Sequence, residues 1–476
     1  MQWPEITNRI SRIMCWRENA CNGVGPETLV EELPLRAELL NVEQLERHAR
    51  IIAGAHRLAS GQADDKLLPR LAENERVLVD TYDLIAAAAA RDRRIAPAAE
   101  WLLDNFYLIE EQIRSTRRLL PRSYSSELPR LAAGSGADFP RVYDIALELI
   151  AHADGRLDAT NLTAFLTAYQ SVVPLKLGEL WALPLMLRLA LIENLRRVAV
   201  RISEGRCDRD HASDWAEKMI RTVEQKPTDL VLVLADMARE NPPLSGAFLA
   251  ELTRHLHGQN PNFSFASSWL EQRLADQGQT TEQLILAEGK AQAADQVSVG
   301  NSITSLRFLA VNDWRDFVAD QSLVEQTLSR DPAGVYAGMD FATRDRYRHA
   351  VEAIARRSRC TEYAVAQRAV QLSQSEATVQ ANQRTNHVGY FLVDQGRPAL
   401  ERLVHMHVTP GVLIEKFRRR FPLVIYTVSL LLFTAVILAT LWSHSAGSDR
   451  NHCCCGCWPF PLSCPPYSWQ SESCTG

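Results

Sequence analysis

GELWALPLMLRLALIENLRR, residues 178–197, is the stretch on which the fold of this chain turns. Its apolar residues return every third and fourth position, the period of an α-helix with one face in a core. Arg188 and Glu193 interrupt it too early for a membrane span, so it reads as a central buried helix with a bend or start near Pro184. A helix lying on a membrane surface is the competing reading. Helical spacing extends over 175–202, and the two segments before it, 142–153 and 158–169, repeat the pattern.

Towards the N-terminus, Asn41 and Gln44 form a capping box, after which Leu45, Ala49 and Ile52 fall on one face. A second helix over 71–91 aligns Leu71, Leu78, Tyr82 and Ile85, and a third over 97–119 aligns Leu102, Phe106, Ile109 and Ile113. The loop 121–140, rich in Ser, Gly and Pro, divides an N-terminal helical subdomain (34–120) from a main helical region (141–415). Residues 1–33 form a disordered lead-in. DLVLVLADMA, 229–238, passes for a buried strand, but Asp229 as a cap and helical sequence up to Arg239 favour a helix. Without alternating strand-like segments, a doubly wound sheet is excluded and the fold class is all-α.

Beyond this region stands FPLVIYTVSLLLFTAVILATLW, residues 421–442, reaching about 33 Å as a helix and therefore expected to be one transmembrane helix. Twelve of the positions 423–441 are Leu, Ile, Val or Phe, which makes insertion favourable. Lys416, Arg418, Arg419 and Arg420 precede it, whereas Arg450 is the first cation after it, so the N-terminal region is expected on the cytoplasmic side of the membrane. The first thirty residues carry no signal peptide. Residues 443–476 form an irregular Cys-rich tail. There Cys453, Cys454, Cys455, Cys457, Cys464 and Cys474 crowd together, while Cys15, Cys21, Cys207 and Cys360 serve everything before it. Three consecutive cysteines do not converge on one tetrahedral ion, so the tail is not read as a metal site. A net charge of −5 with both signs interspersed and 7% aromatics point away from nucleic acid. The lipid bilayer is the expected partner.

Residues that suggest chemistry each have a plainer reading. Asp208 and Asp210 in CDRDH resemble a metal-holding DxD pair, but RISEGR ends one helix and DHASDWAEKM begins another, so Asp210 is read as a helix cap. Glu110 and Glu111 beside Arg114 form salt bridges on a solvated face. His255 with His257, and His405 with His407, are two-apart pairs without a third ligand. Arg344, Arg346 and Arg348, on a helix capped by Asp340, spread over a solvated, salt-bridged surface rather than a phosphate grip. No phosphate-cradling glycine loop, GxSxG elbow or HExxH occurs. The expectation is no catalytic, cofactor-binding or metal-binding residue in this chain.

Several long blocks point further: LPLRAELLNVEQLERHAR (33–50), LPRLAENERVL (68–78), IAPAAEWLLDNFYLIEEQIR (95–114), PLKLGELWALPLMLRLALIENLRR (174–197), NDWRDFVADQSLVEQTLSRDPAGVYAGMDFATRDRYRHAVEAIARRS (312–358) and HVGYFLVDQGRPALER (387–402). In that order they resemble the N-terminal region of the bacterial cyclic β-1,2-glucan synthases, over residues 33–442. The resemblance implies a large inner-membrane glycosyltransferase that polymerises glucose from UDP-glucose, with a divalent metal, and cyclises the chain. It also implies that the glycosyltransferase core and the phosphorylase-like part are missing here after Trp442, as in a fragment truncated after the first span. The expected function is thus a membrane-anchored scaffolding or regulatory region without its own active site, partnered by the remaining domains of the synthase. The alternative is a single-span adaptor that binds another membrane protein.

Overall fold

The computed structural model describes residues 35, 37–59, 64–121, 124–134, 136–257, 263–379, 385–406 and 422–448. Among them every regular element is helical, and β-pairing is confined to isolated bridges of Leu58 with Leu131, Arg130 with Pro140 and Leu131 with Ala137. The all-α expectation therefore matches the structure. The chain divides into two compact units, Met1–His405 and Met406–Gly476.

In the first unit, α1 (Val42–Ala55) opens with the anticipated capping box between Asn41 and Gln44. The helices α2 (Leu67–Ala89), α3 (Pro97–Asp104), α4 (Phe106–Leu119), α5 (Arg141–His152) and α6 (Ala159–Gln170) follow. The third expected helix is broken at Asn105, whose Nδ2 donates to the Trp101 carbonyl at 2.9 Å. That side chain competes with the backbone ladder, and its Oδ1 accepts from Arg307 at 2.6 Å. Leu102, Ile109 and Ile113 still share one buried face, while Phe106 stacks on Tyr82 with ring centroids 4.3 Å apart.

Much of this unit is arranged around α7 (Leu177–Gln225), 49 residues and about 73 Å long. Pro184 is accommodated inside it. The helix does not stop at RISEGR; it runs straight through Asp208 and Asp210. Gly205 costs about 1 kcal/mol in a helix interior, but Arg206 Nε reaches Asp210 one turn on at 3.0 Å, and the two flanking packing surfaces hold the segment in line. Its first half enters one hydrophobic core with α1–α6, including Leu183, Leu187, Leu191 and Leu195. Its second half, through Trp215, Met219 and Val223, enters another with α8 (Leu230–Glu240), α9 (Gly246–Leu256) and α10 (Phe263–Ala275). DLVLVLADMA is helical as expected, although Asp229 makes no side-chain cap bond.

Helix α11 (Thr281–Val311) returns along α7, and α12 (Trp314–Gln321), α13 (Leu323–Leu328), α14 (Phe341–Ala355), α15 (Glu362–Val379), α16 (Val388–Val393) and α17 (Arg397–Leu403) complete the unit. The side chain of Asp340 accepts from the Thr343 amide, the cap read from the sequence. Gly389 sits where a Cβ would lie 2.4 Å from the Tyr347 hydroxyl, so only glycine lets α16 approach α14 this closely.

The second unit contains α18 (Pro422–Ser448), and here the expectation of a transmembrane helix is corrected. Among the described residues no helix is long and apolar enough to cross a membrane. The lead-in 1–33, the basic flank 416–420 and the cysteines from 453 onward lie outside the described residues.

Candidate functional site: the charged cleft at the head of the long helix

A cleft of about 640 Å³ opens where α7 begins, bordered by α5, α14 and α15. The first turn of a helix presents amides without intrahelical acceptors and a partial positive charge, so carboxylates collect there. Glu179 accepts from the Lys176 amide at 2.9 Å, and Glu362, brought in from α15, accepts from the Leu177 amide at 2.8 Å. Arg141, from the first turn of α5, donates to Glu179 through Nε at 2.9 Å and Nη2 at 2.5 Å, and both side chains are buried. Its guanidinium also lies 5.9 Å from the centroid of the Tyr169 ring. Burial pushes the Glu362 carboxyl up, and the Leu177 amide opposes this. Cys360 borders the same cleft, its sulfur accepting from Arg368 at 3.0 Å.

Four turns further along α7, Glu193 is 1% exposed and surrounded by arginines. Arg70 of α2 binds it in bidentate fashion at 2.7 and 2.9 Å, Arg197 donates at 2.7 Å and Arg196 at 3.1 Å. Burial alone would raise the Glu193 carboxyl, but the Arg70 hydrogen bonds and the charges of Arg196, Arg70 and Arg197 hold it down at about 2. Burial, reinforced by the Glu193 charge, pushes the neighbouring Tyr143 hydroxyl well above its usual range. Glu193, which with Arg188 ruled out a membrane span at 178–197, is therefore a core ion.

A third group centres on Glu325 of α13. It accepts from Tyr336 at 2.7 Å, Arg344 at 3.0 Å and Arg348 at 3.4 Å. Arg348 is 1% exposed and stacks over Phe341 at 4.9 Å, so the solvated surface expected for this arginine group is corrected for Arg348. The partner that draws it inward stands 23 residues away in the chain, beyond the reach of helical spacing.

The other sequence candidates are placed as follows. Asp208 accepts from Ser245 at 2.6 Å, and Asp210 is bound by Arg206 and Arg93. Two residues apart on one helix, they face different directions and do not form a shared metal site. Asp210 lies within α7 and is not a cap. Arg114 pairs with Glu110 at 2.8 Å on an exposed face. His255 meets Glu251 at 3.2 Å, His257 caps the end of α9, His405 takes a left-handed backbone conformation and His407 is outside the described residues. Ligand-type atoms of His48, Glu148 and His152, which spacing did not single out, lie within 4.8 Å of one another.

One relative matches most of this chain and relates it to the cyclic β-(1,2)-glucan synthases, as a partial region. The relative is the cyclic beta-(1,2)-glucan synthase NdvB of Rhizobium meliloti (strain 1021), 34% identical over 336 residues. Those residues make up 70% of this chain and 12% of NdvB, so the chain spans a small part of its relative's length. No family model matches the chain.

Proposed function

We propose that this chain is a scaffolding or regulatory region of a cyclic β-1,2-glucan synthase, with glucose transfer from UDP-glucose, and the divalent metal that serves it, carried out by other parts of the enzyme. The observation that carries the reading is the 34% identity over 336 residues. The geometry supports it. Arg141, Glu179 and Glu362 in the cleft, Arg70 with Glu193, and Arg344 with Glu325 are engaged with one another or with helix ends, cross-links that stiffen a helical body. A rigid helical body suits the holding of other domains in register. The site of action would be the cytoplasmic face of the bacterial inner membrane, beside the remaining domains of the synthase.

The test uses membranes carrying a cyclic β-1,2-glucan synthase deleted for the matching region, supplied with labelled UDP-glucose. Glucan formation should fall on deletion and return when this chain is co-expressed. Full activity of the deleted enzyme would remove the scaffolding role. Incorporation of label by membranes holding this chain alone would show that it catalyses transfer itself.

A further inference from the structure

His48 on α1 and the pair Glu148 and His152, one turn apart on α5, bring two imidazoles and a carboxylate together from residues a hundred positions apart. His48 Nε2 lies 2.8 Å from Glu148 Oε2, and His152 Nε2 lies 3.6 Å from the same oxygen. The two rings meet edge to face with centroids 4.2 Å apart. A tetrahedral ion with ligands at 2.0–2.1 Å requires ligand atoms about 3.3 Å from one another. The two observed edges bracket that spacing.

The ring of His152 is also oriented from behind. Its Nδ1 donates to the Glu38 carbonyl at 2.7 Å, which puts the proton on Nδ1 and leaves the Nε2 lone pair facing Glu148 and His48. The segment that supplies this carbonyl is itself strapped to the end of α5, by the Ala37 amide to Ala151 at 3.1 Å and the Leu40 amide to His152 at 3.2 Å. A carbonyl behind a ligating histidine is the usual means of fixing its tautomer in a metal site. The three side chains are between 14% and 33% exposed, so an ion can reach them.

We propose that His48, Glu148 and His152 bind one divalent ion of the zinc class, in a site with three protein ligands and a fourth position open to water. Two neutral imidazoles and one carboxylate suit such an ion better than magnesium or calcium, which take oxygen ligands. On binding, the ion takes the place of the direct His48–Glu148 contact and ties α1 to α5.

The full chain, with its thiols alkylated so that cysteines do not compete, is titrated with Zn²⁺ and, separately, with Co²⁺. Wild type should bind one equivalent that His48→Gln and His152→Gln lose or hold at least about tenfold more weakly. The cobalt spectrum should lack sulfur charge-transfer bands. Unchanged binding in both variants, or no uptake by the wild type, overturns the proposal. If the His152 change loosens the 37–40 segment, as far-ultraviolet dichroism would reveal, Glu148→Gln, which keeps the His152 anchor, decides the matter.

Discussion

Replacing Glu193 by glutamine takes one negative charge from among Arg70, Arg196 and Arg197. Breaking a buried ion pair from one side costs about 3–5 kcal/mol, because the remaining charge stays desolvated. Urea unfolding of Glu193→Gln should show a loss of that order, and a change below about 1 kcal/mol would mean that the arginines find other partners. The same group sets an acid limit. Its carboxyl is held at about 2 in the folded protein against an ordinary value of 4.5. Its contribution is fully present above pH 4.5 and is lost as the pH falls from there towards 2, worth about 3 kcal/mol in all. Stability measured across that interval should fall less steeply in Glu193→Gln than in wild type. Neither Glu193 nor Arg348 could be recognised as buried from spacing, since their partners Arg70 and Glu325 stand 123 and 23 residues away. His48 escaped notice for the same reason, with Glu148 a hundred residues on.

Helices are joined in this fold by polar bridges as well as by apolar faces. Asn194 of α7 donates to the Ser298 and Ser302 hydroxyls of α11, each at 3.0 Å, and accepts from the Leu35 amide at 3.2 Å. Asn194→Leu leaves buried hydroxyls and an amide short of a partner, so a cost of about 2 kcal/mol or more is expected. Adding Ser298→Ala and Ser302→Ala to that variant should recover part of it, and a double-mutant analysis by chemical denaturation measures how much. Helix starts were legible where one side chain and a nearby amide suffice, as at Asn41 and Asp340. The break at Asn105 and the continuation of α7 past RISEGR were not. Asn105 breaks a continuous apolar stripe with its own amide group, and α7 continues through a glycine and two aspartates that resemble a boundary. In both places the deciding contacts, with Arg307 and Arg93, come from other elements.

Because α7 passes through both hydrophobic cores of the first unit, the two cores should lose structure together. Leu191→Ala in one and Phe248→Ala in the other each remove a fully buried side chain, at a cost of about 2–5 kcal/mol. Both should move the same thermal transition, followed by tryptophan fluorescence and far-ultraviolet dichroism in parallel. Separate transitions, with each variant shifting only one, would show that α7 does not couple the cores. Apolar periodicity was enough to establish an all-helical chain and the helix at 178–197 as its centre, because a 3.6-residue repeat is a property of neighbours along the sequence. The resemblance to cyclic β-1,2-glucan synthases was equally open to view, since it rests on ordered blocks of residues. Tertiary structure alone decided which charges enter the core, where α7 ends and which histidines meet a carboxylate. Those outcomes depend on desolvation and distance between residues far apart in the chain, and spacing along one helix carries no record of either.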